Sequence, residues 1–174
     1  GYNCIYSSLC IEGGILFGSE NIIFRYNYKS RTMDSIYICQ KKNLDISEYR
    51  IQKMVQLKKN KILIGTKEQG IYLYDCCTQQ LTRFTSDIHH LLISLYVVSD
   101  KYVYASFYGN GIYCYNQDGK IVKSYTSKTS SLNNNYVLDI IEHKGQLWIA
   151  TDGGGINILD MNSDQIKVMC HVAG

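Results

Sequence analysis

The residues best suited to grip a ligand in this chain sit in one short segment, Phe107-Tyr108-Gly109-Asn110. Two aromatic rings beside a glycine and an amide place flat apolar faces next to hydrogen-bonding groups. That combination suits sugar rings, which offer apolar faces and hydroxyl edges. Asp152 opens a comparable stretch, Asp152-Gly153-Gly154, later in the chain. Phe107, Tyr108, Asn110 and Asp152 are therefore the candidate ligand-binding residues.

Other chemistries find less support. Carboxylates recur as Asp75, Asp100, Asp118, Asp152 and Asp160 at the ends of apolar segments, where Asp is favoured for bonding nearby backbone. No G-x-S-x-G elbow, phosphate loop or H-E-x-x-H is present, so no catalytic residue is assigned and the chain reads as non-enzymatic. His89 and His90 are adjacent and point to opposite faces if extended, and His143 and His171 are remote in sequence, so no metal site is assigned. The 7 cysteines lack zinc-ligand spacing. Their odd number leaves at least one thiol unpaired, which sits awkwardly with an oxidising compartment. No cofactor is implied.

Charge and hydropathy narrow the partners. Lys and Arg total 18 against 15 Asp and Glu, a net charge of +3, and the runs Lys41-Lys42 and Lys58-Lys59 are far apart. Nucleic-acid binding needs a concentrated basic face, so it is not expected. The apolar run after His90 is broken at Ser94 and ends at Val98, short of the roughly 20 residues that span a bilayer. No membrane segment is read in this sequence.

What must hold the candidate residues is a repeat. Apolar residues followed by Gly or Ala and then Ser or Thr occur four times, as Leu16-Phe17-Gly18-Ser19, Leu63-Ile64-Gly65-Thr66, Val103-Tyr104-Ala105-Ser106 and Trp148-Ile149-Ala150-Thr151. Counted between their small residues, the period is 40 to 47 positions, the range of repeat architectures. Gly18, Gly65, Ala105 and Ala150 read as points where a neighbouring sheet comes close, the Ser or Thr beside each as a bond to backbone, and Trp148 as packing.

The last copy divides into strands at 136–142, 146–151, 155–160 and 165–170, with a turn at His143-Lys144-Gly145. The third gives 92–98, 102–107, 111–116 and 120–125, the second 51–57, 61–66, 70–75 and 81–85, and the first 3–11, 15–19, 22–26 and 32–39. Four antiparallel strands per repeat make one propeller blade. The fold expected is all-β, one repeat domain of four blades at about 1–45, 46–90, 91–130 and 131–174. The 16 tyrosines, 14 glycines and absence of proline agree with strands and tight turns. One segment is ambiguous: Ser47-Glu48 precedes Ile51, Met54, Val55 and Lys58 at helical spacing, while its place in the repeat makes it a strand.

The stretch Leu132-Asn133-Asn134-Asn135, the strand around Val137, Gly145, Leu147-Trp148-Ile149-Ala150-Thr151 and Gly153-Gly154 closely resembles the two-component regulator propeller repeat, with Ala150 for that family's usual Gly. The second copy keeps Leu63-Ile64-Gly65-Thr66, and the first little beyond Phe17-Gly18-Ser19. The resemblance implies the extracytoplasmic, periplasmic sensing region of a bacterial hybrid two-component regulator, which recognises oligosaccharides and signals across a membrane to a kinase. It also implies a propeller with more blades than four. A four-blade piece leaves its end faces open, so a homodimer or other self-association through terminal blades is expected. Two alternatives stand beside this reading. A propeller glycosidase or lyase would need convergent carboxylates roughly 5 to 9.5 Å apart. A protein-interaction propeller would be expected to show Gly-His and Trp-Asp pairs, which these repeats lack.

Overall fold

The computed structural model describes residues 4–39, 46–85, 90–99 and 101–169. His89, His171, Asp100, Cys170 and the Lys41-Lys42 pair lie outside the described residues. The described residues form four antiparallel sheets of four strands each. The first holds β1 (Ser7–Ile11), β2 (Gly14–Gly18), β3 (Ile22–Asn27) and β4 (Met33–Tyr37), and the second β5 (Ile51–Lys58), β6 (Lys61–Thr66), β7 (Ile71–Asp75) and β8 (Gln80–Arg83). The third holds β9 (Leu92–Val98), β10 (Tyr102–Phe107), β11 (Gly111–Tyr115) and β12 (Ile121–Tyr125), and the fourth β13 (Val137–His143), β14 (Gln146–Thr151), β15 (Gly155–Asp160) and β16 (Gln165–Met169). In each sheet the strands lie side by side in chain order, the meander of a propeller blade. No helix among the described residues is long and apolar enough to cross a membrane.

Local chemistry sets the turns. Lys144 (φ +52°) and Gly145 (φ +77°) join β13 to β14 in the left-handed pair that matches strand twist. Between third and fourth strands every blade uses the same device, a side-chain oxygen accepting two backbone N–H bonds just downstream. Asn27 accepts from Lys29 and Ser30, Asp75 from Cys77 and Thr78, Asn116 from Asp118 and Lys120, and Asp160 from Asn162 and Ser163. These backbone bonds hold the Asp75 and Asp160 carboxyls below their ordinary pKa.

The segment read as helix or strand resolves into both in unequal parts. A single 3-10 turn, Ile46–Tyr49, precedes the strand β5. Ile51, Met54 and Leu57 are its buried residues, three apart because register shifts lie between Ile51 and Lys53 and between Gln56 and Lys58. Bulges of this kind interrupt strict alternation, and here they imitate a helical period.

The chain forms two compact units, Gly1–Leu92 and Ile93–Gly174. In the first, Leu16 and Ile23 pack on Ile51, Met54, Ile62, Ile64 and Tyr74 of the following sheet. A Cβ on Gly18 would stand 2.5 Å from Ile51 Cγ2, so the close approach of that sheet is built on the absence of a side chain. Ser7 Oγ donates to Ile51 O at 3.1 Å, and Ile51 N to Ser19 O at 3.0 Å. In the second unit Tyr104, Ile112, Cys114 and Tyr125 pack on Val137, Ile140, Leu147, Ile149 and Leu159.

Register corrects one repeat position. Gly18 pairs with Ile23, Gly65 with Ile71, and Ala150 with Ile156. In the third blade the residue paired with the corresponding Ile112 is Ser106, not Ala105. Ser106 lies where Gly18 lies: its Oγ reaches Val137 O at 3.4 Å and accepts from Ser94 N at 3.1 Å. Ala105 points to the opposite face. Adjacent Ala and Ser are both small, so side-chain size could not choose between them.

Candidate functional site

The connection between β10 and β11 is a tight turn. Asn110 N donates to Phe107 O at 2.9 Å, and Gly109 and Gly111 have φ of +69° and +71°. The Asn110 amide folds back, its Nδ2 donating to Tyr108 O at 2.8 Å, so this side chain secures the turn it belongs to. Tyr108 is left 59% exposed. Its ring meets Tyr136 edge to face, with centroids 4.9 Å apart at 75°, an arrangement favoured by the ring quadrupoles. Gly109 lies under the same ring, since a Cβ there would be 3.5 Å from Tyr136 Cε1.

Tyr136 is held from the other side by the fourth blade. Asp152 N donates to Tyr136 O at 2.8 Å, and Tyr136 N to Asn134 Oδ1 at 2.8 Å. Asn134 Nδ2 closes the circuit on Asp152 O. The other two asparagines of the lead have equally local work. Asn133 exchanges bonds with the buried Asn157, accepting from its Nδ2 at 2.8 Å and donating its own N–H to Asn157 Oδ1 at 3.1 Å. Its Nδ2 also donates to Gly154 O. Asn135 accepts from Ser127 N at 2.7 Å. A Cβ on Gly154 would meet Asn133 Oδ1 and Thr151 Oγ1 at 2.6 Å, which ties that glycine to the asparagine lead.

The structure therefore gathers Tyr108, Asn110 and Asp152 around Tyr136 and removes Phe107. Phe107 is the last residue of β10, not a loop residue, and is fully buried with its ring edge to face on Tyr113. Its apolar side chain packs inward and presents no face to a ligand. Asp152 is exposed and its carboxylate makes no hydrogen bond among the described residues. Tyr136, 43% exposed, is the residue that sequence reasoning passed over as the start of a strand. It stands one position before β13, and only the turn geometry of the preceding blade reveals its role.

The resulting surface is a pair of crossed phenol rings with a carboxylate beside them. It can stack on a flat apolar face and accept or donate hydrogen bonds at its edge. Among the described residues no group of three or more His, Cys, Asp or Glu could hold a metal ion. The cysteines among the described residues, Cys4, Cys10, Cys39, Cys76, Cys77 and Cys114, are free thiols.

Four-stranded meanders repeated at this period define the class: the chain has the β-propeller fold. Within it, residues 131–153 match the two component regulator propeller family, so the fourth blade carries that repeat. No curated protein sequence matches the chain. Among solved structures it is similar to the extracellular domain of BT3049, assigned as a hybrid two component system of B. thetaiotaomicron, with 17% identity and a TM-score of 0.79 over 98% of this chain and 25% of that one. The extracellular domain of BT4673 from the same organism gives 18% identity and a TM-score of 0.77 over 96% and 25%. The RRP9 WD40 repeats give 10% and 0.75 over 97% and 52%. The chain thus spans about a quarter of the length of the two extracellular domains it resembles.

Proposed function

We propose that these blades belong to the extracytoplasmic, periplasmic sensing region of a hybrid two-component regulator, where they contribute to recognition of an oligosaccharide and the bound state is passed to a kinase. The observation that carries this reading is the exposed Tyr108–Tyr136 pair beside Asp152, borne on a blade whose residues 131–153 match the two component regulator propeller family. Crossed rings supply an apolar platform, and the carboxylate can select hydroxyl orientation. A ligand acts by favouring one arrangement of the sensor, without turnover. Calorimetry on the native sensor with an oligosaccharide panel tests this. Tyr108→Ala and Tyr136→Ala should each weaken binding about tenfold or more, the scale of losing a stacking contact. Unchanged affinity in both variants would place the site elsewhere, and hydrolysis or elimination of the glycans would favour an enzyme.

Self-association through terminal blades belongs to the same reading. Trp148, Ala150 and Ile156 occupy in the fourth blade the positions of the buried Leu16, Gly18 and Ile23 in the first. Here they are less covered: Ile156 is 42% exposed, Ala150 is exposed, and Trp148 is half-buried. In a larger propeller a further blade covers this face; in the isolated chain a second copy does so. Light scattering should show a dimer or larger species, and a monodisperse monomer at high concentration would overturn it.

A further inference from the structure

Away from Tyr108 and Tyr136, the third and fourth sheets enclose a cavity of about 330 Å³, within the range of small-molecule sites. Its floor is Tyr104, Cys114 and Tyr125, all buried, and Met161 flanks it from the turn after β15. Among the described residues, every lining side chain that carries charge at neutral pH is a lysine, Lys101 or Lys123. Lys123 is already engaged, its Nζ 2.9 Å from Asp164 Oδ1, which also accepts from the Tyr125 hydroxyl at 2.6 Å. Lys101 makes no ion pair among the described residues; its ammonium stands 5.3 Å from the Tyr102 ring centroid. Burial pushes the Tyr104 and Tyr125 phenols and the Cys114 thiol upward in pKa. They remain neutral and add no competing negative charge.

The first unit shows why this space is open. Register places Arg25 where Cys114 stands, each paired with the strand before and the strand after: Leu16 and Asp34 for Arg25, Tyr104 and Lys123 for Cys114. Arg25 fills its joint, donating from Nε to Asp34 Oδ1 at 3.0 Å and from Nη1 to the Tyr74 hydroxyl at 3.4 Å. The cavity at the corresponding end of that joint, beside Ile11, Ile62 and Cys76, is about 30 Å³. A short thiol in place of a paired guanidinium leaves an aromatic-floored cavity, with Lys101 at its edge ion-pairing with no described residue.

We propose that this cavity binds a small amphipathic carboxylate, its apolar or aromatic body lying on Tyr104, Cys114 and Tyr125 and its carboxylate meeting Lys101. The body gains by leaving water, and the carboxylate by a charge-assisted contact at a partly desolvated mouth. The site is distinct from the Tyr108–Tyr136 surface and independent of what that surface binds.

The probe is 2-naphthoate, titrated into the isotope-labelled 174-residue chain and followed by amide chemical shifts. Saturable shifts should map to Lys101, Tyr102, Cys114 and Met161. The uncharged 2-naphthamide should bind about tenfold more weakly, and Lys101→Glu should lower 2-naphthoate affinity by about tenfold or more. Cys114→Arg, which imports the first joint's side chain, should abolish binding while leaving amide dispersion intact; if that variant misfolds, Lys101→Glu decides. Absence of saturable shifts at millimolar probe, shifts mapping elsewhere, equal binding of the amide, or no effect of Lys101→Glu would each overturn the proposal.

Discussion

The two inter-sheet joints, first sheet to second and third to fourth, share strand order yet solve the same packing problem differently. In the first, a glycine lets Ile51 close on the sheet, and Arg25 spans the remaining gap to Asp34 and Tyr74. In the second, Ser106 replaces the glycine and secures Val137 by a hydrogen bond, while Cys114 leaves space where the arginine would be. One joint is closed by steric fit, the Ser7 hydroxyl on Ile51 O, and an arginine that Asp34 of its own sheet holds against Tyr74. The other is fastened by hydroxyls and retains a cavity. Identical topology thus fixes where sheets meet, and single side chains decide whether the meeting is closed.

The largest expected effect separates covered from open faces. Leu16 is fully buried, whereas its counterpart Trp148 is only partly so. Leu16→Ala should cost about 2–5 kcal/mol in urea unfolding, and Trp148→Ala less in the isolated chain; equal losses would mean the fourth blade's face is covered in solution. Next comes the glycine. Gly18→Ala forces a contact with Ile51 and Ser7 Oγ and should cost about 1–3 kcal/mol. Ala150→Val, at the equivalent open position, should stay within about 0.5 kcal/mol by the same assay. In the second joint, Ser106→Ala leaves Ser94 N without its acceptor, for a loss of about 1–3 kcal/mol.

The smallest effect is electrostatic. The Arg25 hydrogen bond holds the Asp34 carboxyl below its ordinary pKa, so its contribution is fully present above the unfolded value and fades as pH falls through the folded one. Asp34 is half exposed, and solvent screening keeps the effect small. Acid unfolding of Arg25→Ala should therefore show a slightly flatter pH dependence below the usual carboxylate range. An identical profile would show that the pair seals the joint by shape alone.

Much of the architecture was legible because blades announce themselves by alternation and by turns. Strands 61–66, 92–98, 102–107, 146–151 and 155–160 fall where alternation and bounding glycines place them. Three features escaped for definite reasons. The bulges in β5 gave a strand a helical spacing. The Ala105-Ser106 pair left the small position of the third blade undecided until pairing with Ile112 fixed it. At the candidate site, Phe107 and Tyr108 are neighbours of one chemical type, and only the end of β10 sends one ring inward and the other out. Tyr136 joins the site through space, across a separation no local pattern spans.

The side-by-side order of strands within every sheet has a consequence for how the molecule is made. Each strand's partner is the one emerging just before it, so pairing closes only short loops, and a contact map of this kind favours fast, local folding. A nascent chain can complete each sheet before the residues of the next have left the ribosome. What waits for later synthesis is the docking of one sheet's apolar face on another, and the order in which Leu16 finds Ile51, or Tyr104 finds Val137, is the order of translation.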